Sequence, residues 1–236
     1  MFLTRDNKIK WRLMGVATAV VAIAVLSGVL WWDGPAYLFL RGLDCGAWRV
    51  FDRVFDAKVW LVMLAVMVLI FYANKSLKSR PCFKNERNRF SIIAFLRDFV
   101  VKTKCSYVFF TLCSVFGACV VAKVLKVVIG RFRPLFFEAL DLTGFLPLST
   151  EWAFNSMPSG HAAASFAGLV MIGLLVPKIK WLTWTLAIVI GVSRVAYGAH
   201  WPTDVLFGAF IGMVTADITK SLLSRGCLVG EKHNKK

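Results

Sequence analysis

Six stretches of the chain are apolar and poor in charge: residues 13–32, 59–73, 106–130, 162–176, 181–197 and 204–223. A hydrocarbon layer ~30 Å thick takes about 20 apolar residues in helical form to cross, so the pattern predicts six membrane-spanning helices. The second and fourth runs are short for a crossing and predict helices that extend into flanking residues. The first run lacks a small-residue cleavage signature and exceeds a signal-peptide core, which predicts a retained anchor. No internal repeat, low-complexity tract or flexible linker marks a second domain. Residues 1–236 therefore read as a single integral membrane domain of the all-α class.

Composition agrees. The chain is 58% hydrophobic with a mean hydropathy of +0.67, beyond what a soluble globular chain carries. The formal net charge of +16 suggests a nucleic-acid partner until its distribution is read. Arg5, Lys8, Lys10 and Arg12 precede the first run, and a dense group from Lys75 to Lys104 fills the second connection. Lys178 and Lys180 lie in the fourth connection, and Lys220, Arg225, Lys232, Lys235 and Lys236 close the chain. If six helices alternate in direction, these cations all share one face, and the positive-inside rule makes that face cytoplasmic, with both termini on it. Membrane insertion accounts for the basicity, and no nucleic acid is called for. Cys82, Cys105 and Cys227 fall on the cytoplasmic side, Cys113 and Cys119 lie inside the third run, and Cys45 alone faces the exterior. That spacing gives neither a disulfide framework nor a CxxC metal site.

Two connections have a pattern of their own. In the exterior connection, residues 33–58, Phe39, Leu43, Trp48, Phe51 and Phe55 recur at roughly helical spacing. They read as an amphipathic connector on the outer membrane surface, or as a guide rail for a lipid substrate. Residues 86–104 of the cytoplasmic connection interleave cations with Phe and Ile, as a basic amphipathic helix on an anionic leaflet does.

The candidate chemistry collects at helix mouths. Pro202 suits the first turn of a helix, which places His200 at the threshold of the sixth run and Asp204 about one turn further in. A carboxylate there can accept a hydrogen bond from one imidazole nitrogen and leave the other bare, the arrangement a nucleophilic histidine needs. Taken alone, the pair also reads as an interfacial histidine and a helix-capping aspartate. Pro158-Ser159-Gly160-His161 opens the fourth run: Ser159 is a good N-cap, Gly160 admits close approach, and free N–H groups at a helix start attract anions. His161 is a candidate acid and base, and an ordinary turn and cap is the competing reading. Lys126 and Arg133 share a face if their helix persists, with Pro134 ending it, and Arg133 and Arg194 suit forked contacts to phosphate oxygens. Lys123 and Arg131 read as flanking charges.

The combination is more specific than any part, because the three sites fall on one face, opposite the basic loops. Lys126, six residues, then Arg133-Pro134; Pro158-Ser159-Gly160-His161; and Ser193-Arg194, five residues, His200, three residues, Asp204: this resembles the complete three-part signature of the type 2 phosphatidic acid phosphatase superfamily. That superfamily also takes in vanadium haloperoxidases. No signature position departs from the pattern, and the likeness runs from Lys126 to Asp204 and the helix after it.

The resemblance implies a six-helix core and a lipid phosphate phosphatase that uses no metal or other cofactor. By the same resemblance, His200 attacks phosphorus and forms a phosphohistidine, Asp204 orients it, and His161 acts as acid and then base. Lys126, Arg133, Ser159, Gly160 and Arg194 hold the phosphate. The implied setting is a bacterial inner membrane with the site at its periplasmic surface. Its implied partners are the bilayer and a membrane lipid phosphate: phosphatidic acid, phosphatidylglycerol phosphate, undecaprenyl pyrophosphate or lipid A. A phosphotransferase with the same intermediate, a haloperoxidase, and a non-enzymatic binder or transporter are the alternatives. Transport sites usually lie at mid-membrane, whereas these residues lie at helix ends.

Overall fold

A computed structural model describes residues 1–4, 6–46, 48, 57–78 and 105–233. Helix α1 (Trp11–Ser27) passes through one π-helical turn (Gly28–Trp32) into α2 (Asp33–Arg41). Then come α3 (Ala57–Lys78), α4 (Cys105–Ile129), α5 (Pro134–Leu140), α6 (Gly160–Leu175), α7 (Lys180–Ala196) and α8 (Pro202–His233). Trp11–Arg41, Tyr107–Ile129, Pro177–Ala196 and Pro202–Ser224 are each long and apolar enough to cross a bilayer, and among the described residues Lys58–Met67 and Gly160–Leu175 are shorter apolar helices. These six correspond to the six predicted runs, and the fold is all-α and polytopic.

Helix α6 is the hub. It is buried along most of its length and packs against α8, α4 and α7. Its 16 residues rise only about 24 Å. Because neighbouring helices rather than lipid surround it, its length need not match the hydrocarbon thickness. The approach of α8 is set by small residues: a Cβ on Gly212 would stand 2.5 Å from the Ala163 carbonyl oxygen and 2.7 Å from the Ala167 nitrogen. Gly208, one turn earlier, meets the Ser159 carbonyl and Ala162 in the same way. Small faces of this kind let membrane helices approach backbone to backbone. Trp60 and Leu64 of α3, Val115 and Ala118 of α4 and Ile190 of α7 complete the core.

Two sequence expectations need correction. The first helix does not stop at Trp32, where the apolar run ends, but continues to Arg41. It continues because Asp33 is buried and paired with Arg131 at 2.7 Å, and Tyr37 is buried against Trp201 and Phe137. Tertiary partners replace the water that a membrane helix end would otherwise meet. Nor does Pro134 end α4. Gly130 does so, with φ +62°, its N–H bonded to the Lys126 carbonyl at 3.0 Å, and no room for a Cβ beside the Leu146 carbonyl. This is the left-handed residue that commonly closes a helix. Pro134 instead takes the first position of α5, with Arg133 as its N-cap, where a missing N–H does no harm. The later part of the exterior connection, residues 49–56, lies outside the described residues, as do Cys82 and residues 86–104.

Candidate active site

Three segments far apart in sequence are pinned to one another through their backbones. After Gly130 the chain runs extended, and the Arg131 carbonyl accepts from the Ser156 N–H at 3.0 Å while the Arg133 N–H reaches Ala153 O at 3.1 Å. The Ser159 N–H donates to the Asp204 carbonyl at 2.9 Å. The loop after α7 closes on itself, with the Ala199 N–H on Arg194 O at 3.1 Å. Local signals behave as the sequence predicts: Pro202 starts α8, and Ser159 caps α6 by accepting from the Ala162 N–H.

These segments enclose a cleft of about 670 Å3, and Lys126, Arg133, Gly160, His161, Arg194 and His200 all line it. Six of the eight predicted site residues thus face one space. The other two, Ser159 and Asp204, are fully buried and lie outside that lining. Arg41, Asp44, Glu138, Trp152 and Tyr197 line the cleft as well. The Lys126 ammonium donates to the Asn155 carbonyl at 2.7 Å. Arg133 donates from Nε to Trp152 O and from Nη1 to Ala199 O, both at 3.0 Å, and stacks 3.9 Å from the Trp152 ring centre. Backbone carbonyls and an aromatic face therefore fix both side chains in position.

His200 is 2% exposed. Its Nδ1 lies 3.5 Å from Ser156 Oγ and 3.7 Å from Asp204 Oδ2. The Ser156 hydroxyl in turn donates to Asp204 Oδ2, which also accepts from the Trp201 N–H at 3.0 Å. The carboxylate thus reaches the ring as a longer contact beside Ser156, where the sequence pattern suggested a direct hydrogen bond. With Nδ1 turned to this network, Nε2 is the nitrogen left for the cleft. Burial pushes the His200 imidazole well below its ordinary pKa, and Lys126 and Arg133 add to the effect while Asp204 opposes it. The ring is held neutral, the form in which it can attack. Burial likewise pushes Arg133 down to about 10, against the pull of Asp204, so it keeps its charge at neutral pH.

Arg131 is not a flanking charge. It is 5% exposed, and its guanidinium donates to Asp204 Oδ1 at 2.8 Å, Thr203 Oγ1 at 2.7 Å and Asp33 Oδ2 at 2.7 Å. Burial lowers its pKa, but Asp204 and Asp33 outweigh that and leave it above the usual value. Two signals pointed to this residue. Positive-inside bias leaves cations scarce at the exterior end, and an aspartate at the edge of a long apolar run has to find a partner. Ser156 carried no comparable signal.

The sequence model of the PAP2 superfamily matches residues 105–225, just over half of the chain, and takes in all three pinned segments. A lipid A 1-phosphatase of Rhizobium johnstonii is 39% identical over 115 residues, 47% of this chain and 46% of that protein. A lipid A 1-phosphatase of Rhizobium etli is 31% identical over 166 residues, 69% of this chain and 66% of that one. An undecaprenyl-diphosphatase of Sulfolobus acidocaldarius is 33% identical over 111 residues, 46% of this chain and 52% of that protein. The chain thus spans about half to two thirds of the length of these relatives. The matched model covers both histidines, the cations around them and the helices that carry them, and the chain belongs to the PAP2 superfamily.

Proposed function

We propose that the protein is a membrane lipid phosphatase that works through a phosphohistidine on His200, without a metal or other cofactor. The observation that carries this reading is a buried, neutral imidazole with one nitrogen turned to Ser156 and Asp204, in a cleft that also holds Lys126, Arg133 and Arg194. In phosphoryl transfer most of the charge sits on the non-bridging oxygens, and fixed cations stabilise it without reorganising. In the first step a bond forms between Nε2 and phosphorus while the bond to the substrate oxygen breaks, and His161 protonates that oxygen. In the second, His161 takes a proton from water as the water oxygen attacks phosphorus, the N–P bond breaks, and inorganic phosphate leaves. Gly160 and the capped start of α6 hold the phosphate, with Ser159 acting through the cap it provides.

Among lipid phosphates, the reading that the relatives' names and the cleft support best is a phosphomonoester on a sugar headgroup, of the lipid A type. The cleft is far larger than a phosphate group, and its partly exposed portion carries two carboxylates, Asp44 and Glu138, both paired to Arg41. Carboxylates accept hydrogen bonds from hydroxyls and repel a second phosphate. The same reading places the protein in an inner membrane, both termini in the cytoplasm and the cleft facing the periplasm.

A phosphate-release panel on purified protein in detergent tests this. The expected order is lipid A phosphate over phosphatidic acid, phosphatidylglycerol phosphate and undecaprenyl pyrophosphate, with turnover surviving EDTA and blocked by vanadate. His200→Ala should abolish release while the protein stays folded. Undiminished turnover in that variant refutes the nucleophile, a magnesium requirement refutes the metal-free scheme, and labelled phosphate found on a lipid acceptor points to a phosphotransferase instead.

A further inference from the structure

Asp33 lies on the first membrane helix, outside the segment that the family model matches. It nevertheless meets the carboxylate behind His200 through one shared cation. Its Oδ2 takes one arm of Arg131 at 2.7 Å, and the other arm goes to Asp204 Oδ1 at 2.8 Å. Its Oδ1 accepts the Thr203 N–H at 3.0 Å, capping the first turn of α8 from another helix. All three charged groups are essentially buried, so water screens them little.

Arg131 and Asp204 alone would form a closed pair with no net charge, and Asp204 would offer His200 little. Asp33 changes the balance, because one cation shared by two carboxylates leaves one net negative charge. The cleft that His200 lines is also lined by the guanidinium groups of Arg133, from the segment before α5, and Arg194, from α7, which stay charged, and by Lys126 from α4 and His161 at the start of α6. When Nε2 bonds to phosphorus the ring becomes cationic. Stabilising that cation takes a negative group on the Nδ1 side, as a triad aspartate does for its histidine. We infer that Asp33 is a positioning residue that holds Arg131 away from full neutralisation of Asp204, so that the carboxylate's charge stays available to His200. The inference rests on His200 being the reacting group, as proposed above. A purely structural role, bridging Arg131 and capping Thr203, would leave the His200 protonation midpoint where it is when Asp33 loses its charge, and that is what separates the two accounts.

The chain has three histidines, so 15N-histidine NMR of the full protein in detergent micelles follows each ring separately, with His200→Asn as the assignment control. Asp33→Asn should move the His200 protonation midpoint to lower pH and slow phosphoenzyme formation about tenfold at unchanged KM, of the order expected for one charge roughly 10–12 Å away at an effective dielectric constant of ~20. Asp33→Glu, which keeps the charge, should restore most of the rate. The double variant Asp33→Asn/Arg131→Met returns the net charge to that of the natural protein, and its midpoint should return with it. Should Asp33→Asn not fold, the double variant compared with Arg131→Met reads the same charge effect. An unchanged His200 midpoint when Asp33 is neutralised overturns the inference, whatever happens to turnover. A shifted midpoint in a protein that hydrolyses no lipid phosphate upholds this charge balance and overturns the proposed reaction.

Discussion

Replacing Gly212 with alanine tests how closely the site depends on helix packing. The new Cβ would sit 2.5 Å from the Ala163 carbonyl oxygen and 2.8 Å from Phe166 Cβ. Carbon and carbonyl oxygen normally approach to about 3.3 Å, so α8 and α6 must separate by roughly 0.8 Å at that turn. Both atoms met are fixed by α6 itself, so no flexible side chain can swing aside. Overpacking of this kind costs about 1–3 kcal/mol. The same displacement moves His161 on α6 relative to Asp204 on α8, and misplacement of about 1 Å costs on the order of a hundredfold in rate. Thermal unfolding in detergent and phosphate-release kinetics should therefore both fall, with kcat reduced about ten- to a hundredfold. Gly160→Ala is the contrast: its Cβ meets only Lys126 Cε at 3.6 Å, an ordinary contact, so it should unfold at the same temperature, and any rate loss there comes from filling the cleft. A Gly212→Ala protein with unaltered unfolding temperature and kcat would show that this contact does not hold the two halves of the site in register.

Two further outcomes follow from single positions. Burial, reinforced by Lys126 and Arg133, depresses the folded-state pKa of His200, so the unfolded chain binds the proton first as pH falls. This histidine's contribution to stability is complete above its unfolded pKa of about 6.5 and is lost as pH drops toward the lower folded value. Unfolding temperature should decline below pH 6.5 while the acid limb of kcat/KM, where it reports His200, falls well below that pH. An acid limb set by His200 at its ordinary value contradicts the buried neutral ring. Gly130→Ala should destabilise by at least about 2 kcal/mol, since the left-handed backbone alone costs roughly 1–2 kcal/mol for a residue with a Cβ and the Leu146 carbonyl blocks the space. Normal stability in that variant would mean that the end of α4 can be rebuilt without a left-handed turn.

The three signature segments were legible because each is a local signal. Ser159 caps its own helix and Pro202 starts its own, and both effects act within one turn of chain. Arg131 was misjudged for the opposite reason. Its partners Asp33 and Asp204 lie 98 and 73 positions away, and although the scarcity of exterior cations marks the arginine itself, no local pattern names those partners. Pro134 shows a milder form of the same limit: a proline fits the end of one helix or the start of the next, and only the positive φ of Gly130 decides between them.

The sequence by itself determined that the chain is helical and crosses a membrane, because transfer of apolar residues into hydrocarbon is summed along each segment. It also set out the cations and histidines proposed to handle phosphate, because their spacing along the helix ends is written in the chain. The tertiary structure alone decided that the first helix reaches past the bilayer run to the site, that Ser156 stands beside the contact of His200 with Asp204, and that one arginine serves two aspartates. Those outcomes depend on how closely separate helices approach. That distance is set at Gly208 and Gly212 against α6, where contact is made between residues that no sequence window contains together.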